Sequence, residues 1–179
     1  MRTHFTADNH WGHVGIIEMA QRPFAGVEEM DAAMIANWNA VVAPRDDVWH
    51  VGDFAHRIDQ KRKATIFGRL HGNKHLVAGN HDDGETRKLP WGSVSDYKEI
   101  VVDGQRIVLF HYACRVWRGM HRGAIQLYGH SHGRLPGTAQ SLDVGVDCWN
   151  FMPTDLPQIQ ARLAMTPDEP EHDGGGFQP

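Results

Sequence analysis

A mixed α+β fold follows from three features of this 179-residue sequence. Short apolar stretches alternate with stretches of helical periodicity. Polar punctuation is concentrated where the short apolar stretches end, as expected when strands deliver their loops to one side of a sheet. No repeat and no shift of composition marks a second domain. One domain is therefore expected over residues 1–165, followed by a disordered tail over 166–179, where after Thr166 the sequence becomes PDEPEHDGGGFQP. A domain near this size buries roughly 68–70% of its unfolded surface, so it needs neither a disulfide nor a metal merely to form a core.

The elements are expected in the following order. Residues 5–7 end a first strand and deliver Asp8, Asn9 and His10 into a loop. Residues 28–42 form a helix: Met30, Met34, Trp38 and Val41 share its spacing, Glu28 and Glu29 suit its first turn, and Pro44 stops it. Residues 48–51 form a short strand with Gly52 and Asp53 at its exit, and 60–70 a helix with a solvated basic face. A buried strand over 75–78 leads into Gly79-Asn80-His81-Asp82-Asp83-Gly84. Strands over 97–102 and 106–110 are joined through Asp103-Gly104, a strong hairpin signal. Residues 125–128 form a strand ending at Gly129-His130-Ser131-His132-Gly133, and 142–146 one more. Thr154 or Asp155 caps a last helix around 158–165, where Ile159 and Leu163 share a face. Trp38 and Trp49 are expected as core anchors.

With 41% hydrophobic and 22% charged residues, collagen, coiled-coil and wholly disordered classes are excluded. A formal charge of −4 argues against a broadly basic nucleic-acid clamp while leaving a local anion site open. Two cysteines, Cys114 and Cys148, make no disulfide framework, and neither sits in a nucleophile motif. The opening MRTHFTADNHWGH lacks the apolar core of a secretory signal, and no run is long enough to span a membrane, so a reduced, cytoplasmic chain is expected. The unusual count is 13 histidines.

Several expected strands end in the same few residue types: Asp8-Asn9-His10, Asp53, Asn80-His81, His111 and His130-Ser131-His132. Carboxylates supply charge and can bridge two cations, while imidazoles and an amide oxygen complete a borderline coordination shell. Taken singly, the carboxylates and Asn80 could be turn caps and the histidines packed hydrogen-bonding residues. The ordered set Asp8-x-His10, Gly52-Asp53, Gly79-Asn80-His81-Asp82, His111 and Gly129-His130-x-His132 resembles the calcineurin-like metallophosphoesterase family. The resemblance implies a four-layer α/β/β/α sandwich with two mixed β-sheets flanked by helices. It also implies Asp8, His10 and His132 at a first metal, Asp53 bridging two metals, and Asn80, His111 and His130 at the second. Ser131 separates His130 from His132, so an extended segment could serve adjacent ions. His81 is implied as the group that stabilises the phosphate and protonates the leaving oxygen. Asp82 is placed to fix the turn or a nearby ring.

One position departs from the family. Where many members carry an aspartate three residues after the bridging one, this chain has His56, and two imidazoles cannot reproduce an aspartate–histidine pair. His56 and Arg57 are candidates for binding substrate oxygens, with a solvated loop as the alternative. His13 and Tyr112 follow ligand positions and are further candidates for substrate contact. Arg115, Trp117, His121 and Arg122 are candidates for the entrance, where arginine suits phosphate and tryptophan could stack a base.

Two divalent metal ions are implied, with Mn²⁺ favoured and Fe, Zn, Ni, Co or Mg as alternatives. The expected activity is hydrolysis of a phosphate ester by a metal-activated hydroxide. A small phosphodiester or nucleotide is the favoured substrate and a short nucleic acid a further one. A phosphomonoesterase or protein phosphatase, or a metal-stabilised interaction domain, are the alternatives. The sequence does not set an oligomeric state, and no membrane partner is expected.

Overall fold

A computed structural model describes residues 1–166, so the expected tail lies outside the described residues except for Thr166. Among the described residues no helix is long and apolar enough to cross a membrane. The chain begins with β1 (Thr3–Thr6), α1 (Val14–Met19), α2 (Val27–Val41) and β2 (Asp47–His50). It continues through α3 (Gln60–Arg69), β3 (Asn73–Val77), α4 (Gly84–Arg87) and β4 (Ser93–Ser95). The second half holds β5 (Tyr97–Val102), β6 (Gln105–Phe110), β7 (Ile125–Tyr128), β8 (Ser141–Asp143), β9 (Thr154–Asp155) and α5 (Leu156–Met165).

The strands form two mixed sheets flanked by helices, the arrangement implied by the resemblance. The first has the order β4-β3-β2-β1-β9, parallel except for β9; the second has β5-β6-β7-β8, parallel except for β5. Phe5, Val51 and Val77 from the first sheet meet Ile107, Leu109, Ile125 and Leu127 from the second, and Leu156, Ile159 and Leu163 of α5 join them. On the other face of the first sheet, Val48 and Phe54 pack with Met30, Met34 and Trp38 of α2 and Ile66 and Phe67 of α3.

Local chemistry explains most boundaries. In α2, Val41 is 37% exposed and Val42, with extended backbone, turns inward in its place, because the helix unwinds one residue short of the expected end. Asp59 caps α3 by accepting from the Arg62 amide at 2.7 Å. Asp103 and Gly104 both have positive φ, 48° and 82°, the type I′ turn that matches strand twist in a two-residue hairpin. The last helix starts two residues earlier than expected, with a complete capping box between Asp155 and Gln158 and a proline in the first turn. Trp38 is fully buried, whereas Trp49 is half-buried and stacks on His75 with ring centroids 4.5 Å apart.

The topology places one edge above all others. The exits of β1, β2 and β3 point the same way because these strands are parallel, and so do those of β6, β7 and β8. Beyond β1 and β8 the two sheets are joined by a parallel bridge between Ala7 and Gly145, with the Val146 amide donating to the Ala7 carbonyl at 3.0 Å. Both sets of strand exits therefore converge on one rim.

Asp155→Ala should remove the capping box and lower unfolding free energy by about 1 kcal/mol without changing the m-value, as read by urea denaturation.

Candidate metal centre

Every proposed ligand leaves the end of a strand on that rim. Five of them sit in the left-handed region despite carrying side chains: Asp8 (φ 56°), His10 (50°), Asp53 (59°), His130 (66°) and His132 (48°). Among the described residues they are half of the non-glycine positions with positive φ. Such backbone is unfavourable for an L-residue and persists where surrounding contacts over-determine it. The same geometry corrects the extended segment expected at 130–132. The loop is tightly turned, with the Ser131 amide donating to the Gly129 carbonyl at 2.7 Å, and its two imidazoles belong to different groups.

The first group is Asp8, His10 and His132, with one ligand atom from each lying within 4.8 Å of the others. Asp8 is fully buried; its Oδ2 accepts from the His130 amide at 2.8 Å while Oδ1 has no partner. Both ring nitrogens of buried His10 also lack a hydrogen-bond partner. His132 Nδ1 lies 2.7 Å from Asp147 Oδ2, which leaves Nε2 as its ligand atom. Burial, then the carboxylates of Asp143 and Asp53, push Asp8 well above the ordinary carboxylate range. Burial drives His10 down to about 2, so its ring is neutral with a lone pair to offer.

The second group is Asp53, His111 and His130. His111 Nδ1 lies 2.9 Å from the Val51 carbonyl and must donate to it, which puts the lone pair of the neutral ring on Nε2. That nitrogen faces Asn80 Oδ1 at 3.1 Å and Asp53 Oδ2 at 3.5 Å. Three electron-rich atoms facing one another require either a proton or a cation among them. Burial opposes a charged His111, but Asp53 and the Val51 carbonyl outweigh it and raise its pKa. The donor set and its unpartnered atoms therefore fit divalent cations at both groups.

Asp53 joins the two. Its Oδ2 lies 3.5 Å from His10 Nε2 of the first group and 3.5 Å from His111 Nε2 of the second, while Oδ1 accepts from the His81 amide at 2.8 Å. Burial raises its pKa, but His111, the His81 amide and His10 overcome this and hold the carboxyl well below its ordinary range. Gly79 and Gly52 make this approach feasible: a Cβ on Gly79 would collide with Asp53 Oδ1, and one on Gly52 (φ 94°) with His111 Nδ1.

The remaining sequence-predicted residues line the mouth. His81 is 38% exposed, with Nε2 4.0 Å from Asp53 Oδ2. His56 packs edge-on against it, ring centroids 4.3 Å apart, and His13 packs on His56 at 4.6 Å and near His10 at 5.6 Å. Arg57 is exposed beside them. Tyr112 donates its hydroxyl to Asn80 Oδ1 at 3.3 Å and lays its ring 4.7 Å from that of His130. Arg115 and Trp117 line a groove on the outer face of the second sheet, whereas His121 and Arg122 lie in an exposed single turn of 3-10 helix.

Arg22, Asp143 and His50 support the rim and carried no legible sign in the sequence. Arg22 has a fully buried side chain that donates to both Asp147 oxygens, at 2.8 and 2.9 Å, and to the carbonyls of Asn9 and Asp8 at 2.9 and 2.7 Å. Asp143 pins the His130 loop by accepting from Ser131 Oγ at 2.5 Å and the Gly133 amide at 3.0 Å. His50 Nε2 meets Asn9 Oδ1 at 2.8 Å and holds the first loop from below. Asp82, anticipated as a turn-fixing residue, accepts from the amides of Asp53, Phe54 and Gly79 at 2.8, 2.9 and 2.8 Å and so shapes the Asp53 loop.

Residues 1–145 match the calcineurin-like phosphoesterase superfamily domain. An uncharacterized protein of Methanocaldococcus jannaschii is 29% identical over 167 residues, spanning 88% of this chain and 89% of its own. The gene 66 protein of Mycobacterium phage D29 is 27% identical over 184 residues, spanning 84% and 91%. The solved structure of a protein of unknown function from Aquifex aeolicus shares the fold, with a TM-score of 0.71 over 90% of this chain and 98% of that one at 24% identity.

Arg22→Met preserves much of the side-chain volume but leaves Asp147 with His132 as its remaining partner and removes the Arg22 donors to the Asn9 and Asp8 carbonyls. It should cost about 3–5 kcal/mol of stability, measured by guanidinium denaturation. A loss below about 1 kcal/mol would show that Arg22 is not the clamp of this rim.

Proposed function

The chain belongs to the calcineurin-like phosphoesterase superfamily, and on that premise we propose that it hydrolyses a phosphodiester, either a small one or a nucleotide. Asp8, His10 and His132 would hold one divalent ion and Asn80, His111 and His130 the other, with Asp53 shared between them. The observation that carries this reading is the position of Asp53 Oδ2, 3.5 Å from an imidazole nitrogen of each group. When bound, the two ions supply Lewis acidity, screening the buried carboxylates, polarising phosphoryl oxygens and lowering the pKa of a water.

The chain's own residues supply the rest. His81, half-exposed at the mouth, is our general acid for the departing oxygen. A hydrogen bond from its main-chain N–H to Asp53 Oδ1 ties its backbone to the proposed shared carboxylate. His56, His13 and Arg57 beside it are our candidates for meeting non-bridging or leaving oxygens, and the Tyr112 hydroxyl donates to Asn80. His130 is exposed and His81 half-exposed, so the mouth of the site is open to solvent. Mixed carboxylate, amide and imidazole donors favour a borderline transition metal over calcium, and Mn²⁺ is our choice among them.

Chelator-stripped protein should bind two Mn²⁺ per chain by calorimetry and gain thermal stability on loading. A single bound ion would sink the shared-carboxylate arrangement. The loaded protein should hydrolyse bis(p-nitrophenyl) phosphate faster than p-nitrophenyl phosphate, and the opposite order would make it a monoesterase.

His81→Ala should keep both ions and lower kcat by roughly 10²–10⁴-fold on an alkyl leaving group. The loss should be smaller on nitrophenolate, which needs no proton to depart. Equal losses on both would remove the general-acid role.

A further inference from the structure

We propose that the outer face of the second sheet, beside the metal centre, holds single-stranded nucleic acid, so that the phosphodiester cleaved belongs to an oligonucleotide. A run of aromatic rings that ends on a proposed ligand carries the inference. Tyr97 of β5 and Phe110 of β6 are paired across the hairpin, with ring centroids 6.3 Å apart. Phe110 lies 5.6 Å from Tyr112, which in turn lies 4.7 Å from His130 and 5.0 Å from His111. The Tyr112 hydroxyl also reaches Asn80 Oδ1, so this residue contacts three of the proposed ligands of the second group. A phosphate held at that group has Tyr112 as its neighbour, and the run leads away from it along the sheet.

These rings are open to a ligand. Tyr97 is 43% and Tyr112 39% exposed, with half-buried Phe110 between them. From Tyr97 to His130 each ring is tilted or edge-on to the next, at 54° to 64°, so none is paired face to face with its neighbour. A flat group can therefore stack on the exposed ones. Successive exposed rings accept successive bases of a single strand, because every base has a flat apolar face. A duplex keeps those faces in its own stack.

Charge separates a nucleic acid from an uncharged aromatic partner. In β6, Arg106, Val108 and Phe110 alternate onto the face paired with Val101, Glu99 and Tyr97, opposite to Ile107 and Leu109 in the core. Arg118 lines a shallow pocket with Arg106 and Glu99 there, and Arg115 follows Tyr112 by three residues. All three arginines are exposed, in a chain whose formal charge is −4. Glu99 is already engaged, accepting from the Tyr97 hydroxyl at 3.2 Å and pairing with Arg118 at 3.4 Å. Among the described residues the arginine–carboxylate pairs are those of Arg22, Arg62, Arg87 and Arg118, which leaves Arg106 and Arg115 for phosphate. A polyanion with flat bases uses both the rings and the arginines; an aryl group leaves the arginines unused, and an acidic peptide leaves the rings. The inference rests on the phosphodiesterase reading only for the fate of the strand at the rim.

The test titrates the full chain, in EDTA so that hydrolysis is off, into a fluorescein-labelled oligothymidylate of about twelve nucleotides, within the usual site size. Anisotropy should show saturable binding, about fivefold or more tighter than for the same strand in a duplex, and weaker as salt rises. Tyr97→Ala should weaken it by about fivefold or more. Arg106→Gln and Arg115→Gln should each reduce the slope of log K against log salt by about 0.7, a readout that a purely structural role would not move. Should Tyr97→Ala unfold, the two arginine variants carry the test. Absence of saturable binding, equal affinity for single strand and duplex, or variants that leave affinity and salt slope unchanged would overturn the proposal. On Mn²⁺-loaded protein, kcat/KM per linkage should rise by about tenfold or more from the dinucleotide TpT to the longer strand, through KM. Equal values at both lengths would also overturn it. Strand binding without hydrolysis of the oligonucleotide or of bis(p-nitrophenyl) phosphate would leave this face standing and defeat the phosphodiesterase reading. Hydrolysis of bis(p-nitrophenyl) phosphate without strand binding would do the reverse.

Discussion

The crowding of carboxylates at the junction of the two sheets governs the rest of this structure. Asp8 and Asp53 are buried at the exits of adjacent parallel strands, and Asp143 and Asp147 add further negative charge on the side of Asp8. Water is excluded, so each carboxylate must find its compensation within the protein. Backbone amides provide most of it: His130 for Asp8, His81 for Asp53, and Gly133 and Gly145 for Asp143. Arg22 provides the buried full charge, divided between the Asp147 carboxylate and the carbonyls that follow β1. Amide donors offset part of the desolvation of an anion, yet Asp8 Oδ1 and both His10 nitrogens still have no partner. The polar skeleton is thus complete around a set of lone pairs and incomplete at its centre, the electrostatic signature of a site built for cations.

Backbone conformation serves the same end. Strands running in parallel deliver their exits to one rim, but a strand that continued in extended conformation would send successive side chains to opposite faces. The left-handed residues at 8, 10, 53, 130 and 132 break that alternation at the points where side chains must turn toward a common centre. Histidine and aspartate tolerate this conformation better than β-branched residues do, so the residue types that supply ligands also lessen the local strain. Asp82, with three amides on one carboxylate, and Asn9, held by His50, maintain these turns from behind.

What the sequence made legible divides along physical lines. The hairpin at Asp103-Gly104, the amphipathic α2 and the capped α5 were readable because each is specified by residues a few positions apart. Short elements such as α1, α4, β4 and β9 were not: two to six residues hold too little periodicity, and α1 buries only Ile16. The proposed ligands stood out because their types recur at strand exits in a fixed order. Arg22 and Asp147 escaped notice because their partnership spans 125 residues, and a single arginine before a proline resembles any solvated loop cation until the fold closes over it. Asp143 was hidden in the same way, inside a stretch that read simply as strand.

The departure at position 56 shows how the site distributes its constraints. With an imidazole packed edge-on against His81, the ring has an aromatic neighbour where a carboxylate would otherwise fix its tautomer and direction. Its fixed connection is instead through the main chain, from the His81 amide to Asp53 Oδ1, the other oxygen of the carboxylate whose Oδ2 stands between the two ligand groups. The same Asp53 carboxylate therefore positions the centre and the proposed acid together. That link is a hydrogen bond from the His81 main chain, so it fixes the backbone at position 81, whereas an aspartate at position 56 would act on the ring itself.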